Sequence, residues 1–272
     1  MTGTSAHDQA VVGMVGLGEM GMPMVTRMRA AGYDVHFHAR RPEVIEEATA
    51  LGAVAAPSLA AMAAVADVAI VCVYSDDQVR EVALGPDGIV DHQRAGSVLC
   101  NHTPGRPSTG QALLAAATAR GVDMLDCALS GGPADILAGN LTLLIGGDPA
   151  VTERVMPVLA SYSSPILHVG EVGDGQRVKL LNNALFGAQV ALAVQIERTA
   201  RALGMDPSLV LPAIHECSGD SYALGAALGL GSAERLVELA GRFVRKDVAV
   251  CVEVAEELDA DLGSVLTVAQ EV

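Results

Sequence analysis

The segment Gly16-Leu17-Gly18-Glu19-Met20-Gly21 follows directly on the apolar, β-branched run from Val11 to Val15 and opens a stretch with helical spacing. That order leaves few foldings open: a strand, a tight turn and a helix N-terminus. Each glycine of the Gly-x-Gly-x-x-Gly pattern answers a physical demand. Gly16 permits the turn, Gly18 lets a pyrophosphate approach the backbone, and Gly21 lets the helix pack on the strand. The helix N-terminus then presents unpaired N–H groups that favour an anion. Glycines also mark ordinary turns, but at a strand-to-helix junction the pattern reads as a dinucleotide site.

The pattern around the loop is consistent with this. Short β-branched runs alternate with longer Ala-rich segments, the signature of βαβ units and a mostly parallel sheet. Strands are expected at 11–16, 34–39, 68–73, 97–101, 123–126, 142–146 and 165–168, and helices at 20–31, 42–51, 59–64, 106–120 and 150–159. Residues 1–169 are thus expected to form a doubly wound, Rossmann-type α/β domain. After Gly170 strand-like runs disappear. One long helix over 176–203 suits a spine joining two domains, with further helices at 207–216, 233–240 and 243–259, so residues 170–272 are expected to be an all-α domain.

At the end of the second expected strand, NAD enzymes usually place an acid for the ribose hydroxyls. Here stand Ala39-Arg40-Arg41, and two guanidiniums suit the 2′-phosphate of NADP better than the free hydroxyls of NAD. The basic residues carry a second message. Of 17, 15 are arginine, and only Lys179 and Lys246 are lysine. Arginine stays protonated, whereas a lysine of lowered pKa can exchange a proton, so a lysine in an arginine-preferring chain is a candidate for proton transfer. Chance retention of two lysines is the plain alternative. Lys179 and Asn183 are four residues apart in the long expected helix and would share one face.

Other classes are disfavoured. A net charge of −15 argues against nucleic acid as a partner. Five scattered cysteines without a Cys-x-x-Cys pair argue against a disulfide framework or zinc site, and His36, His38, His102, His168 and His215 show no ligand spacing. Residues 1–10 lack the pattern of an export signal. The apolar stretch 58–74 is interrupted by Asp67 and falls short of the ~20 residues of a membrane span. No membrane association and a soluble, cytoplasmic protein are expected.

With three further motifs, the chain resembles the β-hydroxyacid dehydrogenase family over nearly its whole length. The motifs are the loop extended through Met22-Pro23-Met24, the segment Asp126-Cys127-Ala128-Leu129-Ser130-Gly131-Gly132 continuing to Gly139-Asn140-Leu141, and Gly173-Asp174-Gly175-Gln176-Arg177-Val178-Lys179-Leu180-Leu181-Asn182-Asn183. Lys246-Asp247 is the last. The resemblance implies that the Ser130 hydroxyl and the amides around Gly131 and Gly132 receive a substrate carboxylate. It implies that Lys179 is the general acid and base, with Asn183 orienting it, and that Lys246 reaches the cofactor region. Val73 and Tyr74 fall in the family's cofactor-side loop, and Thr103 is the best remaining cofactor contact in its segment.

The implied reaction is hydride transfer between NADPH and a carbonyl carbon while Lys179 gives a proton to the oxygen. In oxidation Lys179 must be neutral, so its pKa is expected below the ~10.4 of free lysine. A homodimer is implied as well. Tyr74 in place of a proline, Ile136 in place of a small residue, and Pro104-Gly105 in a segment normally rich in hydroxyls all depart from the family pattern, as does the end at Val272, where relatives generally continue. A related imine reductase, which shares the architecture but usually has another group at the position of Lys179, and a non-catalytic dinucleotide-binding module are the competing readings.

Overall fold

The computed structural model describes residues 10–272. The expectation of no export signal therefore falls, for residues 1–9, outside the described residues. The chain divides into two compact units, Met1–Lys179 and Leu180–Val272.

The first unit is built on one eight-stranded sheet in the order β3-β2-β1-β4-β5-β6-β7-β8. Its strands are β1 (Val11–Val15), β2 (Asp34–His38), β3 (Val54–Ala55), β4 (Val68–Val71), β5 (Val98–Asn101), β6 (Asp123–Ser130), β7 (Leu141–Gly146) and β8 (Ser163–Gly170). All pairings are parallel except β6 with β7. Central strands are mostly apolar because helices cover both faces, with Asn101 on β5 and Asp126 on β6 as buried polar exceptions. In β1, Val12 and Met14 enter one core with Met24, Met28, Phe37 and Tyr162, while Val15 enters the other with Met62, Leu99 and Leu113.

The covering helices are α1 (Gly21–Ala30), α2 (Pro42–Ala50), α3 (Leu59–Val65), α4 (Asp76–Leu84), α5 (Ile89–His92), α6 (Pro107–Ala119), α7 (Pro133–Ala138) and α8 (Pro149–Leu159). Their starts follow local chemistry. Ser58, Ser75 and Asp148 accept first-turn N–H groups at α3, α4 and α8, and proline opens α2, α6, α7 and α8, where its missing N–H costs nothing. Ile136, the bulky departure in the Ser-Gly-Gly segment, is fully buried on α7 in the first core.

Helix α9 (Asp174–Ala202) contains the division between the units, and α10 (Pro207–His215), α11 (Tyr222–Leu230), α12 (Ala233–Glu257) and α13 (Gly263–Ala269) complete the chain. The second unit packs Val190 and Ala193 with Ala223, Ala227 and Leu236, and Ala188 with Val244, Val248 and Ala269. Where two helices were expected over 233–259, α12 is continuous. Among the described residues no helix is long and apolar enough to cross a membrane.

Candidate active site

The chain leaves β1 toward β2 and β3 on one side and returns to β4 on the other, so the strand order reverses between β1 and β4. In open α/β sheets a crevice forms outside the carboxyl ends of strands at such a point. A cleft of about 350 Å³ lies there. It is lined by Gly16, Leu17 and Gly18 after β1, by His38, Ala39, Arg40 and Arg41 at the end of β2, and by Cys72, Val73 and Tyr74 after β4; Gln78 and Glu81 of α4 also border it.

The loop's sterics match its expected use. Gly16 has φ +92°, and a Cβ there would lie 2.0 Å from the Cys72 carbonyl oxygen. A Cβ on Gly21 would lie 2.0 Å from the Gly16 carbonyl oxygen, so α1 can start so close to β1 only with glycine. A Cβ on Gly18 would meet nothing within 4 Å, which leaves that stretch of backbone open to the cleft. No side chain caps the start of α1. A narrow backbone cradle at an uncapped helix start, with cations beyond it, fits a dinucleotide's phosphates.

Arg40 pairs with Glu81 at 3.5 Å and Arg41 with Glu43 at 3.6 Å, all four side chains more than half exposed. Such pairs are worth at most about 1 kcal/mol, so neither arginine is firmly committed. Tyr74 is exposed, and its N–H is bonded to Gln78 at 3.0 Å. The Cys72 thiol is pushed up to about 12 by burial and stays protonated. Glu19, Met20 and Gly21 do not line the cleft.

Thr103 lies behind the cleft, almost fully buried. Its hydroxyl accepts the Val73 N–H at 2.9 Å and donates to the Val73 carbonyl at 3.1 Å. The hydroxyl expected to meet the cofactor thus gives its one proton, and one of its two acceptor sites, to holding the loop that lines the cleft. The Thr103 carbonyl accepts from Asn101 Nδ2 at 3.1 Å and from Gln176 Nε2 at 3.2 Å. The Gln176 backbone N–H donates to Asp126 Oδ2 at 2.9 Å. Burial raises the Asp126 carboxyl to about 6, against the opposing hydrogen bonds from Gln176 and Gly173.

Ser130 ends β6, half-buried, and Gly131 continues with φ +130°. The Gly132 N–H donates to Asp135 Oδ2 at 2.7 Å, as the cap of α7. The amide that the sequence offers to a substrate anion is thus engaged by the Asp135 carboxylate. Lys179 is half-buried in the second turn of α9; Asn183, one turn further along the helix, accepts a 3.3 Å bond from Asn182. Lys246 lies half-buried on α12, in the second unit. Sequence reasoning missed Asp126, Gln176 and Asp135 as functional candidates. Asp126 and Gln176 stood within the quoted motifs, but nothing in the order of residues indicated that they meet.

A cleft at the strand-order switch, floored by a glycine loop and edged by two arginines, defines a dinucleotide-binding oxidoreductase fold. Residues 11–170 match the NAD-binding domain of 6-phosphogluconate dehydrogenase, and residues 173–272 match the NAD-binding family of NADP-dependent 3-hydroxyisobutyrate dehydrogenase. The chain belongs to the β-hydroxyacid dehydrogenase family, NAD(P)-dependent oxidoreductases acting on the CH–OH group. It is 30% identical to the 2-(hydroxymethyl)glutarate dehydrogenase of Eubacterium barkeri, over 90% of this chain and 82% of that one. It is also 30% identical to an NAD-dependent L-serine dehydrogenase of Pseudomonas aeruginosa, over 78% of this chain and 72% of the other. Among solved structures, Psf3 in complex with NADP+ and 2-OPP superposes with a TM-score of 0.80 at 28% identity, covering 95% of this chain and 91% of that one.

Proposed function

We propose that the protein is an NADP-dependent dehydrogenase that interconverts a small 3-hydroxy acid and its semialdehyde or keto acid, with Lys179 as the proton carrier. The cofactor preference rests on Arg40 and Arg41 lining the cleft at the end of β2. A doubly charged 2′-phosphate offers each guanidinium a stronger partner than an exposed glutamate. Gly16 to Gly21 hold the pyrophosphate, Val73 and Tyr74 border the cofactor, and Lys246 assists from α12. When bound, the dinucleotide supplies or accepts the hydride.

The chain's own residues do the rest. Ser130 and Gly131 orient the substrate carboxylate, which fixes the reacting carbon. Lys179 donates a proton to the developing alkoxide in reduction and removes it in oxidation, and Asn183, one helical turn on, orients the ammonium or the substrate oxygen. Leu181, Leu185, Leu192 and Ile196 form an exposed apolar stripe on α9, which supports a homodimer; light scattering in solution tests it.

The deciding experiment is a panel of short semialdehydes, keto acids and 3-hydroxy acids assayed with NADPH and NADH. Turnover with NADPH on at least one carboxylate-bearing carbonyl is expected, with Lys179→Ala and Lys179→Arg both reduced on the order of 10²- to 10⁴-fold. Full activity in a folded Lys179→Arg variant would reduce the lysine to an electrostatic binder. Turnover of cyclic imines alone would overturn the substrate class. An unchanged preference for NADPH in Ala39→Asp/Arg40→Ala would remove the role of the arginines.

A further inference from the structure

We infer that Asp126 and Gln176 are positioning residues for the reaction: together they fix the first turn of α9, and Lys179 with it, against the loop after β4 that lines the dinucleotide cleft. The inference rests on the reading of Lys179 as proton carrier.

The first backbone N–H groups of a helix have no partner within it. At α9, Asp126 supplies one from another element: its Oδ2 takes the Gln176 N–H at 2.9 Å. The approach is so close that a Cβ on Gly175 would lie 2.9 Å from that oxygen and 2.6 Å from the Leu144 carbonyl oxygen of β7. From the same residue, the Gln176 side chain reaches the Thr103 carbonyl at 3.2 Å. Thr103 in turn grips Val73 through both hydrogen bonds of its hydroxyl. Gln176 thus stands between the cleft wall and the turn that carries Lys179, three residues on. That is about 4.5 Å of helix rise, too short for slack to accumulate.

A cap alone would not call for this residue. Asp126 is almost wholly buried, and among the described residues it has no cationic hydrogen-bond partner and its Oδ1 meets no donor. An asparagine would escape the cost of burying a charge, but its amide oxygen would give the Gln176 N–H only a neutral and weaker acceptor. Asp174 of α9 presses on Asp126 with like charge and is itself bonded to Arg177 at 2.7 Å. On the strand side stand Cys127 of β6, kept protonated by burial, and Asn101, its register partner on β5, followed by His102, which burial keeps neutral. Burial also brings the Asp126 carboxyl to about 6, so acid converts the charged acceptor into a weaker, neutral one close to neutrality.

The test uses the full chain and a carbonyl substrate that the wild type reduces, with kcat followed against pH in that direction, dinucleotide affinity by fluorescence titration, and amide exchange over 173–180 in the absence of cofactor. Asp126→Asn is expected to lower kcat on the order of 10- to 100-fold at unchanged dinucleotide affinity. It should also remove an acid limb near pH 6 that the wild type shows, and speed exchange in the first turn of α9. Gln176→Leu keeps the backbone bond to Asp126 but loses the one to Thr103; it should lower kcat while retaining the acid limb. If Asp126→Asn does not fold, Gln176→Leu decides alone.

Wild-type kcat in Gln176→Leu, or an acid limb that persists unchanged in a folded Asp126→Asn, would overturn the inference. Lys179→Met, run in parallel, separates the two ideas. Activity surviving in that variant sinks the lysine reading, whereas its loss beside an indifferent Gln176→Leu sinks only the positioning role.

Discussion

His102 Nε2 lies 2.8 Å from the Tyr162 hydroxyl oxygen, and its Nδ1 lies 2.7 Å from the Cys127 carbonyl oxygen, all inside the first unit. A carbonyl can only accept, so Nδ1 carries the ring proton and Nε2 accepts from the phenol. The neutral ring is thereby satisfied at both ends. Burial lowers His102 to about 4 from 6.5, partly offset by the bond to Cys127.

Acid stability follows from that shift. The folded state keeps His102 neutral between about 6.5 and 4 while the unfolded state takes up a proton, so this group's contribution is intact above 6.5 and falls as pH drops toward 4. A shift of this size amounts to about 3 kcal/mol. Tyr162→Phe leaves Nε2 without its donor in a buried site and should cost about 1–3 kcal/mol at pH 7.5 in urea unfolding. An unchanged midpoint would mean that the hydroxyl contributes nothing.

Asp126 works with the opposite sign. Its folded pKa lies above the unfolded value of 3.8, so the folded state binds the proton first and gains stability as pH falls from about 6 toward 3.8. The gain, also about 3 kcal/mol, offsets the loss at His102 over nearly the same range. Removing the carboxyl exposes the histidine. Relative to wild type, Asp126→Asn should lose about 3 kcal/mol more between pH 6.5 and 4, measured as the difference between the two urea series at each pH. Parallel curves would mean that Asp126 does not titrate in this window.

Much of this molecule was legible before its structure. β1, β4, β5 and β7 are buried between helices and declare themselves as apolar runs, β2 declares itself by the alternation of Val35 and Phe37 with His36 and His38, and the loop 16–21 declared the cleft. What escaped was short or depended on distant partners. β3 has two exposed residues and exists only because β2 offers it an edge. α4 is rich in charge, and its cap, Ser75 followed by Asp76 and Asp77, was the available signal. In α12, Gly241 suggested a break, but it is buried inside a continuous helix whose other side chains pay for its flexibility. At the site, the glycine loop and the two arginines could be placed from spacing. That Asp135 holds Gly132, that Thr103 serves Val73, and that Asp126 meets Gln176 could not, because each is a hydrogen bond set by how loops close.

Glu197 gives a test confined to the second unit. Its carboxylate is 1% exposed, bonded to Arg201, and accepts the Ala233 N–H at 2.7 Å and the Glu234 N–H at 3.3 Å, so it caps α12 from α9. Glu197→Ala strands those two donors, while Arg201, half exposed, keeps its pair with Glu234 at 3.3 Å. A loss of about 1–3 kcal/mol is expected, and a smaller one for Glu197→Gln, whose amide oxygen can still accept. Equal unfolding midpoints for wild type and Glu197→Ala would refute the capping role.

Two glycines of the loop should separate folding from binding. At Gly21 an added methyl lies 2.0 Å from the Gly16 carbonyl oxygen and 3.0 Å from Met14 Cε, so backbone must move for alanine to enter. Gly21→Ala is therefore expected to destabilise the first unit by more than about 2 kcal/mol, seen as a lower Tm with or without cofactor. At Gly18 the same methyl meets no protein atom within 4 Å, and the residue is exposed at the mouth of the cleft. Gly18→Ala should keep the wild-type Tm to within about 0.5 kcal/mol of stability yet weaken NADPH binding at least about tenfold, because the methyl stands where a pyrophosphate must approach the backbone. Fluorescence titration with NADPH and thermal melts on both variants give the four numbers needed. If Gly18→Ala binds NADPH as tightly as wild type, the phosphates do not lie against this loop.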